Sequence, residues 1–199
     1  MDDSWDQRYI NRDTPWDTGQ PSSEMLRVLD EQAIAPCRTL EVACGTGTNA
    51  VYLAGRGFDV TAVDISPTAT VRARQRAADA KVSVRFIEAD VFNLPDLGEP
   101  FPFICDVGGF HAIRKVDETR LVAIYDRLLA PDGRILVLAG NSKEIMNPGP
   151  PTVSEEEIHN AFDRTFEILQ LREFRFDSAP DGKTHPLAWS ILLRRRKHP

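Results

Sequence analysis

Apolar and polar residues follow two different periods along the middle of this chain. Short, mainly apolar runs bounded by turn residues recur between residues 38 and 139, and most are followed by stretches whose apolar positions repeat every three or four residues. The first pattern is typical of buried strands, and the second is typical of helices that pack on a sheet. The predicted strands are Arg38–Ala43, Asp59–Asp64, Val82–Ile87, Pro102–Gly108 and Arg134–Ala139.

The helical stretches carry recognisable start signals. Ser66 precedes Pro67, which combines an N-cap with a proline at the first helical position. Ser154 and Glu157 have the spacing of a capping box. The predicted helices are Ser22–Leu29, Thr48–Gly55, Ser66–Ala80, Asp117–Ala130 and Ser154–Arg164. Because strands and helices alternate, we expect an α/β fold with a doubly wound, mostly parallel sheet.

The C-terminal part of the chain lacks this alternation. Two strand-like segments, Thr165–Arg175 and Leu187–Arg195, are joined by a cluster of turn residues at Ser178–Gly182. They predict a hairpin, so one strand should run antiparallel to the rest of the sheet. Since no repeat or linker interrupts the sequence, we expect a single domain over residues 1–199, with an N-terminal lid and helix in residues 1–35 and the core in residues 36–199.

The first predicted strand runs directly into a glycine-rich turn. Residues 40–47 read Leu-Glu-Val-Ala-Cys-Gly-Thr-Gly, and a helical pattern begins at Thr48. Small residues between a strand and a helix let a ligand approach the backbone near the positive end of the helix dipole. Asp64 ends the second strand, where a carboxylate can bind two ribose hydroxyls. The two features predict a nucleotide-like cofactor at the carboxyl edge of the sheet.

The charge of Glu41 bears on which cofactor this is. A carboxylate just before the turn would repel a pyrophosphate, whereas it would attract an amine or a sulfonium, which favours S-adenosylmethionine (SAM) over a nicotinamide dinucleotide. The third glycine position of a dinucleotide fingerprint holds Ala50. Ala43 also stands where a glycine is usual, and we expect its backbone to keep a negative φ.

These motifs resemble those of the class I SAM-dependent methyltransferases, whose first motif reads acid-x-Gly-x-Gly-x-Gly. The aromatic N-terminal segments Trp5–Tyr9 and Thr14–Pro21 are similar to the opening of the thiopurine S-methyltransferase group, which includes thiol, halide and tellurite-resistance methyltransferases. The segment Asp106–His111 is also similar to that group, although Val107 replaces its usual arginine. The resemblance implies a Rossmann-like sheet closed by the C-terminal hairpin, SAM as cofactor and a small-molecule methyl acceptor.

The resemblance also implies which residues hold the cofactor. Asp90 would receive the adenine amino group, although it could instead only cap a loop. Trp16 would cover the sulfonium, since an aromatic face stabilises a cation, or would only seal the sheet edge. The expected cofactor-binding residues are Trp16, Glu41, Ala43, Gly45, Gly47, Asp64, Ile65, Asp90, Val91, Phe92, Asp106 and Gly108.

His111 is the candidate catalytic residue. It would act as a base if the acceptor is a hydroxyl or a phenol, whereas a thiolate, halide or metalloid anion needs little base assistance. The alternative is a histidine at a helix start without a chemical role. The predicted function is methyl transfer from SAM to a small acceptor by in-line displacement. Two other functions stay open, namely a non-catalytic SAM-binding or sensor protein and an NAD(P)-dependent oxidoreductase.

Composition indicates which partners, metals and cellular compartment to expect. The 199 residues carry a net charge of −6, which disfavours a nucleic-acid partner, because phosphate contacts require a basic surface. Neither the three cysteines nor the four histidines have metal-ligand spacing, so no metal is expected. No apolar run reaches membrane-spanning length and the first residues lack a signal-peptide pattern, so we expect a cytoplasmic protein without a membrane partner.

Overall fold

The computed structural model of the protein describes residues 4–145, 149–177 and 185–196. The strands are β1 Arg38–Val42, β2 Asp59–Asp64, β3 Arg85–Glu88, β4 Phe101–Val107, β5 Leu129–Asn141, β6 Thr152–Val153, β7 Phe166–Arg175 and β8 Leu187–Arg195. The helices are α1 Ser4–Ile10, α2 Ser23–Glu31, α3 Thr48–Gly55, α4 Pro67–Ala80, α5 Phe110–Leu128 and α6 Glu155–Phe162, with one 3₁₀ turn at Val91–Asn93.

The strands form one mixed sheet in the order β3-β2-β1-β4-β5-β8-β7, and β6 pairs with β5 outside this path. The first five strands in this order are mutually parallel, whereas β8 runs antiparallel to both β5 and β7. The predicted doubly wound sheet and its C-terminal hairpin are therefore confirmed. The chain reverses its direction of winding between β1 and β4, and ligand crevices of such sheets open at that point.

Two apolar clusters lie on the two faces of the sheet. One cluster joins the strands to α5 and α6 and includes Phe110, Tyr125 and Phe162. The other joins the strands to α2 and α3 and includes Met25 and Leu53. Because helices cover both faces, the central strands are buried, and polar side chains on them are confined mostly to the strand ends.

Several boundaries differ from the sequence prediction. α5 begins at Phe110 instead of Asp117, and Asp117 (φ −161°, ψ 93°) marks a kink between its two segments. The predicted helix is thus the second segment, and the first was missed because its cap comes from a side chain on β4. β3 begins at Arg85, three residues later than expected. The turn predicted at Ser178–Gly182 lies outside the described residues.

No helix in residues 4–145, 149–177 and 185–196 combines the length and the apolar character needed to cross a membrane. No group of histidine, cysteine, aspartate or glutamate side chains in the same ranges is arranged to hold a metal ion.

Candidate functional site

The turn between β1 and α3 consists of left-handed residues at alternate positions. The φ angles of Ala43, Gly45 and Gly47 are 52°, 53° and 75°. The expectation of a negative φ at Ala43 is therefore wrong. The Cys44 N–H donates to the Val63 carbonyl over 3.0 Å, and this bond to the end of β2 accompanies the left-handed turn. The left-handed conformation costs an alanine about 1 kcal/mol.

The two glycines of this turn have no room for side chains. A Cβ on Gly47 would lie 2.8 Å from the Cβ of Ala73 on α4, and a Cβ on Gly45 would lie 2.7 Å from the hydroxyl of Tyr9 on α1. The turn is therefore packed between α4 and the N-terminal helix. Close backbone approach of this kind is what glycine permits and other residues prevent.

Asp64 supports the turn from the end of β2. Its Oδ2 accepts a hydrogen bond from the Gly45 N–H at 2.7 Å, and its Oδ1 accepts one from the Ser66 N–H at 2.9 Å. Burial raises the pKa of this carboxyl, and these backbone donors oppose the rise. Ile65, the next residue, is half-buried. The structure thus places Asp64 against the glycine turn, and its binding of the ribose stays a prediction.

Glu41 is a buried carboxylate with one oxygen lacking a partner. The side chain is 1% exposed, so the carboxyl group is shielded from solvent. Its Oε1 accepts a hydrogen bond from Asn49 Nδ2 at 3.1 Å, whereas its Oε2 has no partner among the described residues. Burial, with smaller contributions from the charges of Asp64 and Asp106, raises the pKa of Glu41 to about 8. A buried acceptor of this kind fits a cationic ligand group, because an opposite charge would favour its ionised form.

The N-terminal segment covers the turn. Asp6 on α1 accepts hydrogen bonds from the Ser66 hydroxyl at 2.5 Å and the Thr68 N–H at 2.9 Å, which places it at the N-terminus of α4. Asp17 accepts a hydrogen bond from the Thr46 hydroxyl at 2.9 Å. Two separate carboxylates therefore hold residues 4–20 against the turn between β1 and α3 and against the N-terminus of α4.

Tyr9 is the residue of the N-terminal helix α1 that packs against Gly45, and the Phe86 ring of β3 packs against Gly47. Tyr9 is buried over Gly45, and its hydroxyl accepts a hydrogen bond from Trp16 Nε1 at 3.1 Å. Trp16 is 42% exposed, and the guanidinium carbon of Arg8 lies 4.2 Å from its ring centroid. The prediction that Trp16 covers a sulfonium therefore stays untested. The i,i+4 spacing of Trp5 and Tyr9 on one helix is the signal that could have identified Tyr9.

Asp90 caps the 3₁₀ turn that follows β3. It accepts hydrogen bonds from the Phe92 N–H at 2.9 Å and from Asn93 Nδ2 at 3.1 Å. Val91 is buried, and Phe92 is half-buried with the Arg120 guanidinium 5.1 Å from its ring centroid. The capping alternative is thus observed, and contact of these three residues with adenine stays a prediction.

Asp106 is fully buried beneath the turn between β4 and α5. Its Oδ1 accepts hydrogen bonds from the N–H groups of Gly109 at 2.7 Å and Phe110 at 2.8 Å, and its Oδ2 accepts one from the Tyr125 hydroxyl at 2.6 Å. Burial raises its pKa to about 6. Three protein donors hold this carboxylate, so it shapes the turn around Gly108 (φ 84°), and direct cofactor contact by Asp106 stays a prediction.

His111 lies just beyond this turn, at the start of α5. Its Nδ1 accepts a hydrogen bond from the Gly140 N–H at 2.9 Å, so in the neutral ring the proton is on Nε2. Burial, together with the charge of Lys115, lowers its pKa to about 4. The Cε1 atom lies 4.0 Å from the position of a Cβ on Gly108, which puts the imidazole beside the turn. This arrangement speaks against the predicted general base, since neither nitrogen has an available lone pair, and makes His111 a hydrogen-bond donor.

Comparison with known proteins supports SAM as the cofactor. A family model described as thiopurine S-methyltransferase matches residues 1–190. The chain belongs to the thiopurine S-methyltransferase family. Like other members of this family, it is a SAM-dependent methyltransferase, so the oxidoreductase and non-catalytic alternatives are not supported. Two solved structures with the same fold contain SAM or S-adenosyl-L-homocysteine.

Individual relatives have sequences about 30% identical to this chain. The 2-heptyl-1-hydroxyquinolin-4(1H)-one methyltransferase of Mycobacteroides abscessus is 30% identical over 176 residues, which cover 84% of this chain and 75% of that protein. The probable thiol methyltransferase 2 of Arabidopsis thaliana is 29% identical over 159 residues, covering 77% and 69%. The chain spans just under half the length of two other curated relatives.

The overall fold also matches solved structures. A structure described as "Conversion of a Disulfide Bond into a Thioacetal Group during Echinomycin Biosynthesis" superposes with a TM-score of 0.85 at 23% identity, over 98% of this chain and 91% of that chain. The Rossmann-like fold with its antiparallel C-terminal strands is therefore shared across nearly the whole length.

Proposed function

We propose that this methyltransferase acts on a small molecule whose accepting atom is already a good nucleophile, such as a thiolate, a phenolate-type oxygen, a halide or a metalloid anion. The observation that supports this proposal is the state of His111. With Nδ1 occupied by the Gly140 N–H, the candidate base cannot remove a proton from the acceptor. An acceptor that arrives deprotonated fits this arrangement, which favours acids that ionise near neutral pH over alcohols.

The relatives support the same class of acceptor. One is named for a 1-hydroxyquinolinone and another for a thiol. Both names describe molecules with an acidic O–H or S–H group. The N-terminal segment, which lies over the turn, also favours a small acceptor, because a closed cover excludes a macromolecular surface from the edge of the sheet.

The residues present fit SAM as the methyl donor. When bound, SAM supplies an electrophilic methyl group on a sulfonium, a good leaving group that needs no covalent catalysis. Glu41 Oε2, which lacks a partner, would hold a cationic part of the cofactor, and Asp64 and Asp90 would hold the ribose and the adenine. His111 Nε2–H would orient the acceptor beside Gly108. Tyr9 and its neighbours would exclude water from the turn, so positioning supplies most of the rate enhancement.

The decisive experiment is methyl transfer from labelled SAM to a panel of thiols, hydroxyquinolones, phenols, iodide and metalloid anions. We expect product with acceptors that are ionised at the assay pH and none with alcohols. Tight SAM binding without product from any acceptor would overturn the proposal and favour a sensor.

The role of His111 is tested in the same assay. In His111→Gln the side-chain oxygen can still accept the Gly140 N–H while the amide donates to the acceptor, so we expect kcat to stay within a few-fold. His111→Phe removes both bonds, and we expect a weaker KM for the acceptor. Complete loss of turnover in His111→Gln, with a wild-type pH profile that rises through a histidine pKa, would contradict the donor role.

We also infer a reducing, cytoplasmic setting. Cys37, Cys44 and Cys105 are all unpaired, and secreted proteins of this size commonly use cysteines in disulfides. A fractionation experiment that finds the protein outside the cytoplasm would contradict this inference.

A further inference from the structure

Lys115 stands one helical turn after His111 on the first segment of α5. Residues four apart lie on the same face of a helix, and long helical side chains point back towards the N-terminus, which here is the direction of His111. The positive charge of Lys115 contributes to the low pKa of His111, so the ammonium is within electrostatic range of the imidazole.

The carboxylates around Lys115 have other partners. Glu118 and Glu157 both form ion pairs with Arg114, and the Asp117 carboxylate accepts a hydrogen bond from the Arg120 N–H. Within residues 4–145, 149–177 and 185–196, no ion pair involves Lys115. An exposed ammonium that has no ion-pair partner among the described residues therefore lies beside the site of a protein whose net charge is −6.

The groups on this side of the site attract negative charge. His111 presents its Nε2–H, because Gly140 occupies Nδ1, and Lys115 adds a full positive charge on the same helix face. Asp106, near the end of β4, is turned inward to Tyr125 and the backbone. A neutral molecule would gain little from this arrangement, whereas an anion would gain a charge-assisted hydrogen bond and a Coulombic attraction.

We propose that His111 and Lys115 form an anion subsite that binds the methyl acceptor in its ionised form, and that Lys115 determines the preference for ionised over neutral acceptors. The inference rests on the proposed methyl transfer. The acceptor loses its proton to solvent before it binds. Its lone pair forms the bond to the methyl carbon, the bond from that carbon to the sulfonium breaks, and the electron pair stays on sulfur. An anion and a cation thus become two neutral products, and no proton moves inside the complex.

The test measures binding without turnover. The protein is saturated with S-adenosyl-L-homocysteine and titrated with 4-nitrobenzenethiolate, which is ionised at neutral pH, and with 4-nitrothioanisole, its neutral S-methylated counterpart. In Lys115→Gln we expect the Kd of the thiolate to rise about tenfold, as for the loss of one attractive charge near a surface. The Kd values of the thioether and of SAM should not change. Lys115→Arg should restore thiolate binding, and added salt should weaken it in the wild type more than in Lys115→Gln.

Lys81, an exposed lysine at the C-cap of α4, offers a matched control, because Lys81→Gln removes the same charge away from the site. A thiolate Kd that is unchanged in Lys115→Gln, or that rises equally in Lys81→Gln, would overturn the anion subsite. An equal loss of thiolate and thioether binding in Lys115→Gln would also overturn the anion subsite, because it would indicate a changed shape of the binding site and not the loss of a charge. Methylation is measured separately on the wild type, so a protein that binds the thiolate through Lys115 but transfers no methyl group would refute the proposed function alone.

Discussion

Replacing Glu41 with glutamine should stabilise the SAM-free protein and weaken its binding of SAM. The Glu41 carboxyl is buried, one of its oxygens has no hydrogen-bond partner within the described part of the chain, and its pKa is raised to about 8 from an ordinary 4.5. Ionising it in the folded protein is therefore costly. Glutamine keeps the size of the side chain and the carbonyl that accepts from Asn49, but it has no charge to bury.

The pKa difference fixes the sign and the size of the effect. Below 4.5 the carboxyl is protonated in both the folded and the unfolded chain. Between 4.5 and about 8 the unfolded chain has released this proton while the folded chain retains it, so the free energy of unfolding falls as the pH rises. The slope is about 1.36 kcal/mol per pH unit, which gives at most about 5 kcal/mol over the interval. Glu41→Gln lacks this contribution and should be more stable near pH 8.

Urea unfolding between about pH 5 and pH 9 measures the difference directly. Asp64 and Asp106 also have raised pKa values and are present in both proteins, so the difference between the two curves reports the titration of Glu41 together with its electrostatic coupling to these two acids. Glu99→Gln removes an exposed carboxylate and is the matched control. SAM affinity near pH 8 should fall about tenfold or more in Glu41→Gln, as for the loss of a charged hydrogen bond. Parallel stability curves for the wild type and Glu41→Gln would refute the reasoning, because they would show that the carboxylate is ionised at no cost.

Three further substitutions test the turns with the same unfolding assay. Gly47→Ala should lose about 2 kcal/mol or more, because its Cβ would lie 2.8 Å from that of Ala73 at a φ of 75°. Ala43→Gly should change stability by less than about 1 kcal/mol, since relief of the left-handed strain is offset by the larger conformational entropy of the unfolded chain. Equal effects of Gly47→Ala and Ala43→Gly would contradict the packing argument. Tyr125→Phe should cost about 1–3 kcal/mol by leaving the buried Asp106 carboxylate one donor short, and a neutral effect would show that this bond is dispensable.

Elements whose signals are local agree closely with the sequence prediction. β2 and β8 have the predicted bounds, Asp59–Asp64 and Leu187–Arg195. The Ser66 hydroxyl accepts from the Ala69 N–H, and the capping box of Ser154 and Glu157 is formed. A cap and its partner lie within one helical turn, so the sequence alone contains the whole interaction.

Elements whose cause lies elsewhere in the chain were missed. The first segment of α5 begins at Phe110 because the Asp106 carboxylate, held by Tyr125, accepts from the first N–H groups of the helix. The left-handed φ of Ala43 accompanies the hydrogen bond from Cys44 to Val63 on a neighbouring strand. Neither effect leaves a periodic pattern in the sequence, since each needs the sheet to be assembled first.

In the candidate site, too, some features follow from the sequence and others depend on contacts made in the folded chain. The positions of its acids follow from the sheet topology, but their states depend on distant backbone donors. The N–H groups of Gly45, Gly109 and Gly140 donate to Asp64, Asp106 and His111. The bond from Gly140 to His111 joins residues 29 apart, and it converts a candidate base into a donor. Residue type and spacing could identify His111 but could not give its tautomer.

Once these backbone bonds are counted, the groups left for ligands have opposite polarity on the two sides of the site. On the side of the glycine turn, Glu41 is a carboxyl that a cationic ligand would ionise, and on the side of α5, His111 Nε2–H offers a donor. A methyl transfer from a sulfonium to an anion removes both ligand charges as it proceeds. Excluding water favours that change over a reaction that moves the positive charge onto the acceptor, because the two reactant ions lose more solvation than a transition state in which their charges are partly cancelled. Reaction of a cation with an anion therefore suits this site better than alkylation of a neutral amine or alcohol, which would leave a new positive charge beside Lys115.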